Sequence, residues 1–223
     1  MERTALISAN DKSGLQELLE VLHDELKWNI LATGNTYKYI IKELKLKDRV
    51  METVSITGIT GDKDAEVGDY YPGGLVKTLH PKIHAGLLYG IPEELEWMNN
   101  RGIIPINLLV CNLYPFEQAA AKPDATVASV VEDIDIGGPS MLRSAAKGAL
   151  RHGNVVPACN PENYGLVIRD ARQGYWSPFA RMHLAERTFA RTAQYDAAIT
   201  EFLRTHPYVK GSMPEFKEAS ASR

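Results

Sequence analysis

The stretch Thr4-Ala5-Leu6-Ile7-Ser8-Ala9-Asn10-Asp11-Lys12-Ser13-Gly14-Leu15, continued by Asn29-Ile30-Leu31-Ala32-Thr33-Gly34-Asn35-Thr36-Tyr37, decides the fold. Residues 5–7 form a short apolar run that stops in the polar cluster 8–14. Leu15, Leu18, Leu19 and Leu22 then recur at helical spacing. Residues 30–32 form a second apolar run, followed by Thr33-Gly34-Asn35-Thr36 and by Tyr37, Ile40, Ile41 and Leu44 on one stripe. Strand, polar turn and helix, repeated, is the pattern of a parallel α/β sheet.

The same alternation continues outward. Residues 46–75 are glycine-rich and irregular, with one short strand expected near 50–56, and a loop of that length suggests function or a cover over a site. A short helix is expected over 82–88, and another from Pro92 to about Gly102. Residues 107–111 read as a buried strand. Thr126 is placed to cap a helix running through Val131. Asp135-Ile136-Gly137-Gly138-Pro139 precedes a helix expected from Ser140 to about Leu150. A strand over 154–156 leads to a helix opened by Pro161. A long helical pattern runs from Ser177 to about Leu203. The expected division is an α/β domain over 1–150, a helix-rich part of the same unit over 151–206, and a flexible tail over 207–223.

Composition narrows the classes. The 223 residues are 44% hydrophobic and 24% charged, an ordinary globular balance able to bury a core without staples. Two cysteines, Cys111 and Cys159, exclude a disulfide scaffold and read as buried thiols. No apolar run nears the roughly 18 residues of a membrane span. The first apolar run stops at Ser8, too short for a signal peptide core, so a cytoplasmic location is expected. A net charge of −3 argues against a nucleic-acid partner. The charge is uneven: residues 1–139 hold 13 Lys/Arg against 21 Asp/Glu, while 140–192 hold 8 against 3. That basic segment is either a solvated helix face or a local field for a small anion.

Ligands of open α/β sheets bind beyond the carboxyl ends of the strands. Lys12, Ser13, Thr33 and Thr36 follow two such ends, where helix-start amides, hydroxyls and one lysine make a phosphate site. Simple helix capping is the competing reading. The dinucleotide and P-loop glycine fingerprints are missing. His80 and His84 are four apart, but Pro81 follows the first and no further ligand completes a set, so no metal is expected. Gly137-Gly138 would let backbone amides approach a ligand, with Asp135 just before and Arg143 and Lys147 one turn apart on the helix behind. An acid, free amides and a lysine make a proton-handling site; a tight connection with surface cations is the alternative.

The strings SANDKSG, LATGNT, VKTLHPKIHAGLL, VCNLYPF, DIGGPSMLRSAAK and RTAQYDAAI occur in that order. From about Thr4 to Arg204 the chain resembles the IMP cyclohydrolase domain of bifunctional purine-biosynthesis enzymes, which in those proteins is joined to an AICAR transformylase domain. The resemblance implies a methylglyoxal-synthase-like α/β sheet, a homodimer, and no metal or organic cofactor. It implies dehydrative ring closure of formyl-AICAR to IMP by a unit standing alone. By motif it makes Lys77, Tyr114, Asp135 and Lys147 catalytic and gives Gly137 an oxyanion-donating amide. Ser8, Asn10, Lys12, Ser13, Thr33, Gly34, Thr36, Thr78 and Asn112 would hold the phosphate and the rest of the substrate. Leu75 stands where the family has arginine, and Asn35 where it has glycine. The alternative that these departures favour is a nucleotide-sensing module of the same fold.

Overall fold

A computed structural model describes residues 2–74 and 76–206. Leu75 and the tail beyond His206, both singled out above, lie outside the described residues. The described chain divides into two compact units, one of residues 2–113 and 136–192, the other of 114–135 and 193–206.

The larger unit is built on a five-stranded sheet. Its strands are β1 (Thr4–Ala9), β2 (Asn29–Ala32), β3 (Val50–Glu52), β6 (Leu108–Asn112) and β7 (Val156–Ala158), in the order β3-β2-β1-β6-β7. Every pairing is parallel. A second, two-stranded parallel ribbon pairs β4 (Ile59–Thr60) with β5 (Asp69–Tyr70). The central strand β1 is almost wholly buried, as a parallel strand covered on both faces must be.

The covering helices are α1 (Leu15–Leu19), α2 (Gly34–Lys42), the short α3 (Val54–Thr57), α4 (Pro81–Leu88), α5 (Pro92–Asn99), α8 (Gly137–Arg151) and α9 (Tyr164–Gln173). Leu15, Leu18, Leu19 and Leu22 are fully buried against Ile7, Ile30 and Val110, as their spacing predicts. At roughly 1.5–3 kcal/mol for each buried aliphatic side chain, this stripe fixes the first helix to the sheet. Beyond Leu19 the helix widens into π turns over Glu20–Glu25, which close with Leu26 N donating to Val21 O.

Among the boundaries that differ from the sequence expectation, three have a clear local reason. The strand expected over 50–56 stops at Glu52, because Ala32↔Glu52 is the last pair that β2 offers. Thr53 N then donates to Ala32 O and the chain turns into α3, ended by Gly58 at φ 70. The last strand covers Val156–Ala158 instead of 154–156 and contains Pro157, which is tolerated because β7 is a sheet edge. Helix α8 starts at Gly137, one turn before Ser140. Pro139 fits that first turn, where an N–H has no intrahelical acceptor.

The smaller unit holds α6 (Phe116–Ala120), α7 (Val127–Val130) and the end of α10 (Pro178–Thr205), a helix whose residues belong to both units. Thr126 caps α7 through a reciprocal pair with Ser129, as expected. Phe116 is fully buried and meets Tyr195 and Phe202 edge to face, at ring separations of 6.2 and 5.9 Å. No helix of the described residues is long and apolar enough to cross a membrane.

Candidate functional site

The carboxyl ends of β1, β2 and β6 meet in one network. Parallel register sets Ser8 beside Cys111 and Ala9 beside Asn112. Asn112 Oδ1 accepts from the amides of Asn10 and Asp11, and its Nδ2 donates to Asp11 O at 2.9 Å. The Thr36 hydroxyl donates to Ala9 O at 3.0 Å and accepts from Ala9 N at 3.2 Å. Thr33 Oγ1 donates to Ser8 Oγ at 3.1 Å. Lys12 Nζ donates to Ala9 O and Asn10 O and lies over the Tyr39 ring. Burial pulls the Lys12 ammonium down from its ordinary value, against the opposing pull of Asp11. Asp11 is held low by hydrogen bonds from the Ser13 side chain and amide.

Eight of the residues singled out in the sequence are thus brought together: Ser8, Asn10, Lys12, Ser13, Thr33, Gly34, Thr36 and Asn112. Their roles within the chain differ. Asn112 and Thr36 brace the β1 loop. Thr33 precedes α2 without capping it by its side chain, so the helix start presents backbone amides that have no intrahelical acceptor. Amides at such a start carry partial positive charge, the requirement for holding an anion.

A second group gathers at the start of α8. Thr78 is buried, and its Oγ1 lies only 2.2 Å from where a Cβ on Gly137 would sit. Glycine at 137 is what lets the two segments touch. Ser140 N makes the first helical bond, to Ile136 O, so the Gly137 amide precedes the ladder. Lys77 is half-buried beside Thr78, in a turn held by Lys77 N donating to Gly74 O at 3.3 Å.

Lys147 stands elsewhere. It follows Gly137 by ten residues, roughly 15 Å along the helix axis. With Arg143, Arg151, Leu88 and Phe189 it lines an open cavity of about 510 Å³. The Arg143 guanidinium packs over the Phe189 ring at 5.5 Å, while Arg151 is tied to Glu94 by two hydrogen bonds. Lys147 and Gly137 therefore do not face one common point within this unit. Tyr114 and Asp135 belong to the smaller unit, where Tyr195 buttresses the approach to Asp135. The Tyr195 hydroxyl donates to Asp133 O at 2.9 Å and accepts from the Asp135 amide at 2.8 Å. Tyr114 is half exposed.

Two groups had no signal in the sequence reading. Glu52 closes β3, its Oε1 3.7 Å from where a Cβ on Gly34 would sit. Burial raises its carboxyl above the ordinary range; Lys38 and Lys77 pull it down and Asp62 pushes it up. An acid at the end of a three-residue strand inside an irregular stretch offers no periodicity to read. Tyr164 packs against Gly14 with its hydroxyl buried and without a hydrogen-bond partner among the described residues. Burial raises that phenol well above its ordinary value, and the nearby Asp11, Cys111 and Cys159 push the same way. Among the described residues no group of three His, Cys, Asp or Glu side chains is placed to hold a metal.

Known families match the chain in two consecutive stretches. Residues 14–140 match the family described as MGS-like domain, and residues 145–222 that described as AICARFT/IMPCHase bienzyme. The chain is similar to the bifunctional purine biosynthesis protein PurH of Streptococcus mutans, 42% identical over 205 residues, covering 91% of this chain and 37% of that protein. It is 41% identical to PurH of Streptococcus gordonii over 218 residues, covering 96% of this chain and 39% of that protein. PurH of Cyanothece sp. is 36% identical over 227 residues, 100% of this chain and 41% of that protein. The chain thus spans about two-fifths of the length of these relatives. A solved structure described as that of ForH superposes with a TM-score of 0.71 at 29% identity, covering 91% of this chain and 99% of that one.

Proposed function

Because this chain belongs to the MGS-like domain family, with its C-terminal third matching the AICARFT/IMPCHase bienzyme, we propose that it is an IMP cyclohydrolase. It closes formyl-AICAR to IMP with loss of water, in purine biosynthesis. The observation that carries the reading is the contact of Thr78 with Gly137, which sets the Lys77 turn beside the open amide at the start of α8.

The chemistry is demanding because the carboxamide nitrogen has a delocalised lone pair and is a poor nucleophile. It must attack the formyl carbon, give up a proton, and form a carbinolamine whose hydroxyl then leaves as water. Orientation of the two groups supplies much of the acceleration. The network at the ends of β1, β2 and β6, with Ser8, Asn10, Lys12, Ser13, Thr33, Gly34 and Thr36, holds the ribose phosphate near the start of α2. Asn112 fixes that loop, and Thr78 fixes the second one. The Gly137 amide, at the positive end of a 15-residue helix, stabilises charge growing on the formyl oxygen. Lys77 supplies a cation and a proton at the same oxygen. By family resemblance Tyr114 and Asp135 take the contacts to the carboxamide and formyl groups and Lys147 a proton-transfer role, although within one chain Lys147 does not face the Gly137 amide.

The reading includes a homodimer whose interface contributes to the site. Phe179 and Met182 are 64% and 63% exposed on α10, while Leu184 on the same helix is buried. No metal or organic cofactor takes part. Purified protein mixed with formyl-AICAR and followed by ultraviolet absorbance tests the assignment; absence of IMP from a folded sample refutes it.

A further inference from the structure

Tyr195, at the centre of the string RTAQYDAAI, has no part in the chemistry described so far. It lies on α10 and is only 1% exposed. A phenol buried to that degree needs partners for its hydroxyl. Both partners belong to one short segment. The hydroxyl donates to Asp133 O at 2.9 Å and accepts from the Asp135 amide at 2.8 Å. Its donor and acceptor capacities are thus used together: Asp133 sets the direction of the O–H, and a lone pair is left facing Asp135.

The ring of the same residue holds a second segment. Phe116 meets it edge to face at 6.2 Å, and Phe202, two turns further along α10, meets Phe116 at 5.9 Å. Phe116 N donates to Tyr114 O at 2.9 Å, which ties Tyr114 to the packed ring. Tyr114 and Asp135 both stand outside helix and strand, on separate stretches of the chain. Such stretches have no ladder of backbone bonds to fix them and take their shape from contacts like these. One buried side chain on a long helix therefore reaches both, the first with its oxygen and the second with its ring.

We propose that Tyr195 is a positioning residue: through Asp133, the Asp135 amide and Phe116 it sets where the Asp135 carboxylate and the Tyr114 phenol are presented to substrate. The kinetic part rests on the cyclisation reading above; the clamp on the backbone does not. An error of about 1 Å in such a placement is enough to cost roughly 100-fold in rate.

The test removes one oxygen. Tyr195→Phe keeps the ring against Phe116 and takes away both hydrogen bonds. Expected is a kcat lower by roughly 10- to 100-fold, with KM for formyl-AICAR little changed. Hydrogen exchange of the Asp135 amide quickens, while β1 and β6 keep their wild-type rates. A second background, read in single turnover, separates positioning from plain structural support. In Asp135→Asn, Tyr195→Phe lowers the rate by no more than about 2- to 3-fold further, because the group it places is already gone. Unchanged exchange at Asp135 overturns the proposal, as does near-normal kcat in Tyr195→Phe or in Asp135→Asn, or the same full loss in both backgrounds. Should Tyr195→Phe fail to fold, the wild type decides: a protected Asp135 amide supports the clamp, and one that exchanges as fast as in an unfolded chain overturns it. Should the wild type make no IMP, the cyclisation reading falls, and exchange at Asp135 still decides whether Tyr195 holds the segment.

Discussion

Thr36 directs both hydrogen-bonding capacities of its hydroxyl at the backbone of Ala9, 27 residues away, and is buried. Its first effect is therefore on the shape of the β1 loop. Thr36→Val keeps the volume and leaves the Ala9 N–H and C=O without these partners, at a cost of about 1–3 kcal/mol. Calorimetry should show Tm lowered by several degrees, with a rise in KM following from the loosened loop. An unchanged Tm with raised KM would mean that the hydroxyl serves the ligand alone. Local pattern reading set Lys12 and Thr33 just past strand ends, where they lie, while Thr36 falls in the first turn of α2. It could not show that Asn112 and Asn10 are partners, because that bond spans 102 residues and depends on the parallel register of β1 with β6.

At the scale of one element, α8 presents two separate groups along its length. Its start is defined by the absence of a side chain: a Cβ at Gly137 would lie 2.2 Å from Thr78 Oγ1. Gly137→Ala should displace Thr78, and with it Lys77, and lower kcat by roughly 100-fold with a smaller effect on Tm. Wild-type kcat in that variant would show the contact to be incidental. Further along, Arg143 and Lys147 line the same cavity but have different neighbours, since Arg143 packs on Phe189. If Lys147 moves a proton, Lys147→Ala lowers kcat by roughly two to four orders of magnitude. Lys147→Arg does not restore it, because guanidinium keeps its proton. Arg143→Ala mainly weakens binding or packing. Near-normal kcat in Lys147→Ala would remove this lysine from the chemistry. The 3.6-residue period made this helix legible, but not its first turn: glycine and proline argue against helix in general, and only capping geometry admits them at a start.

Over the whole molecule, the order of strands and helices was readable because each apolar run matched one layer of a parallel sheet. Residues 46–75 were not, since a two-residue strand pair carries no period and its pairing is long-range. The exposed Phe179 and Met182 on α10 belong to an assembly question. Light scattering at assay concentration should give twice the mass of one chain, and Phe179→Glu combined with Met182→Glu should lower both that mass and kcat. A fully active monomer would contradict a site completed by a second copy.

The most direct measurement is turnover itself. Purified chain, with a chelator present throughout, is mixed with formyl-AICAR, and the formation of the closed purine ring is followed by its ultraviolet absorbance. Expected is catalytic conversion to IMP, lost in Lys77→Ala and unaffected by the chelator. A folded protein that binds IMP or formyl-AICAR yet leaves the open form unconverted would contradict cyclisation and make this chain a nucleotide-binding module.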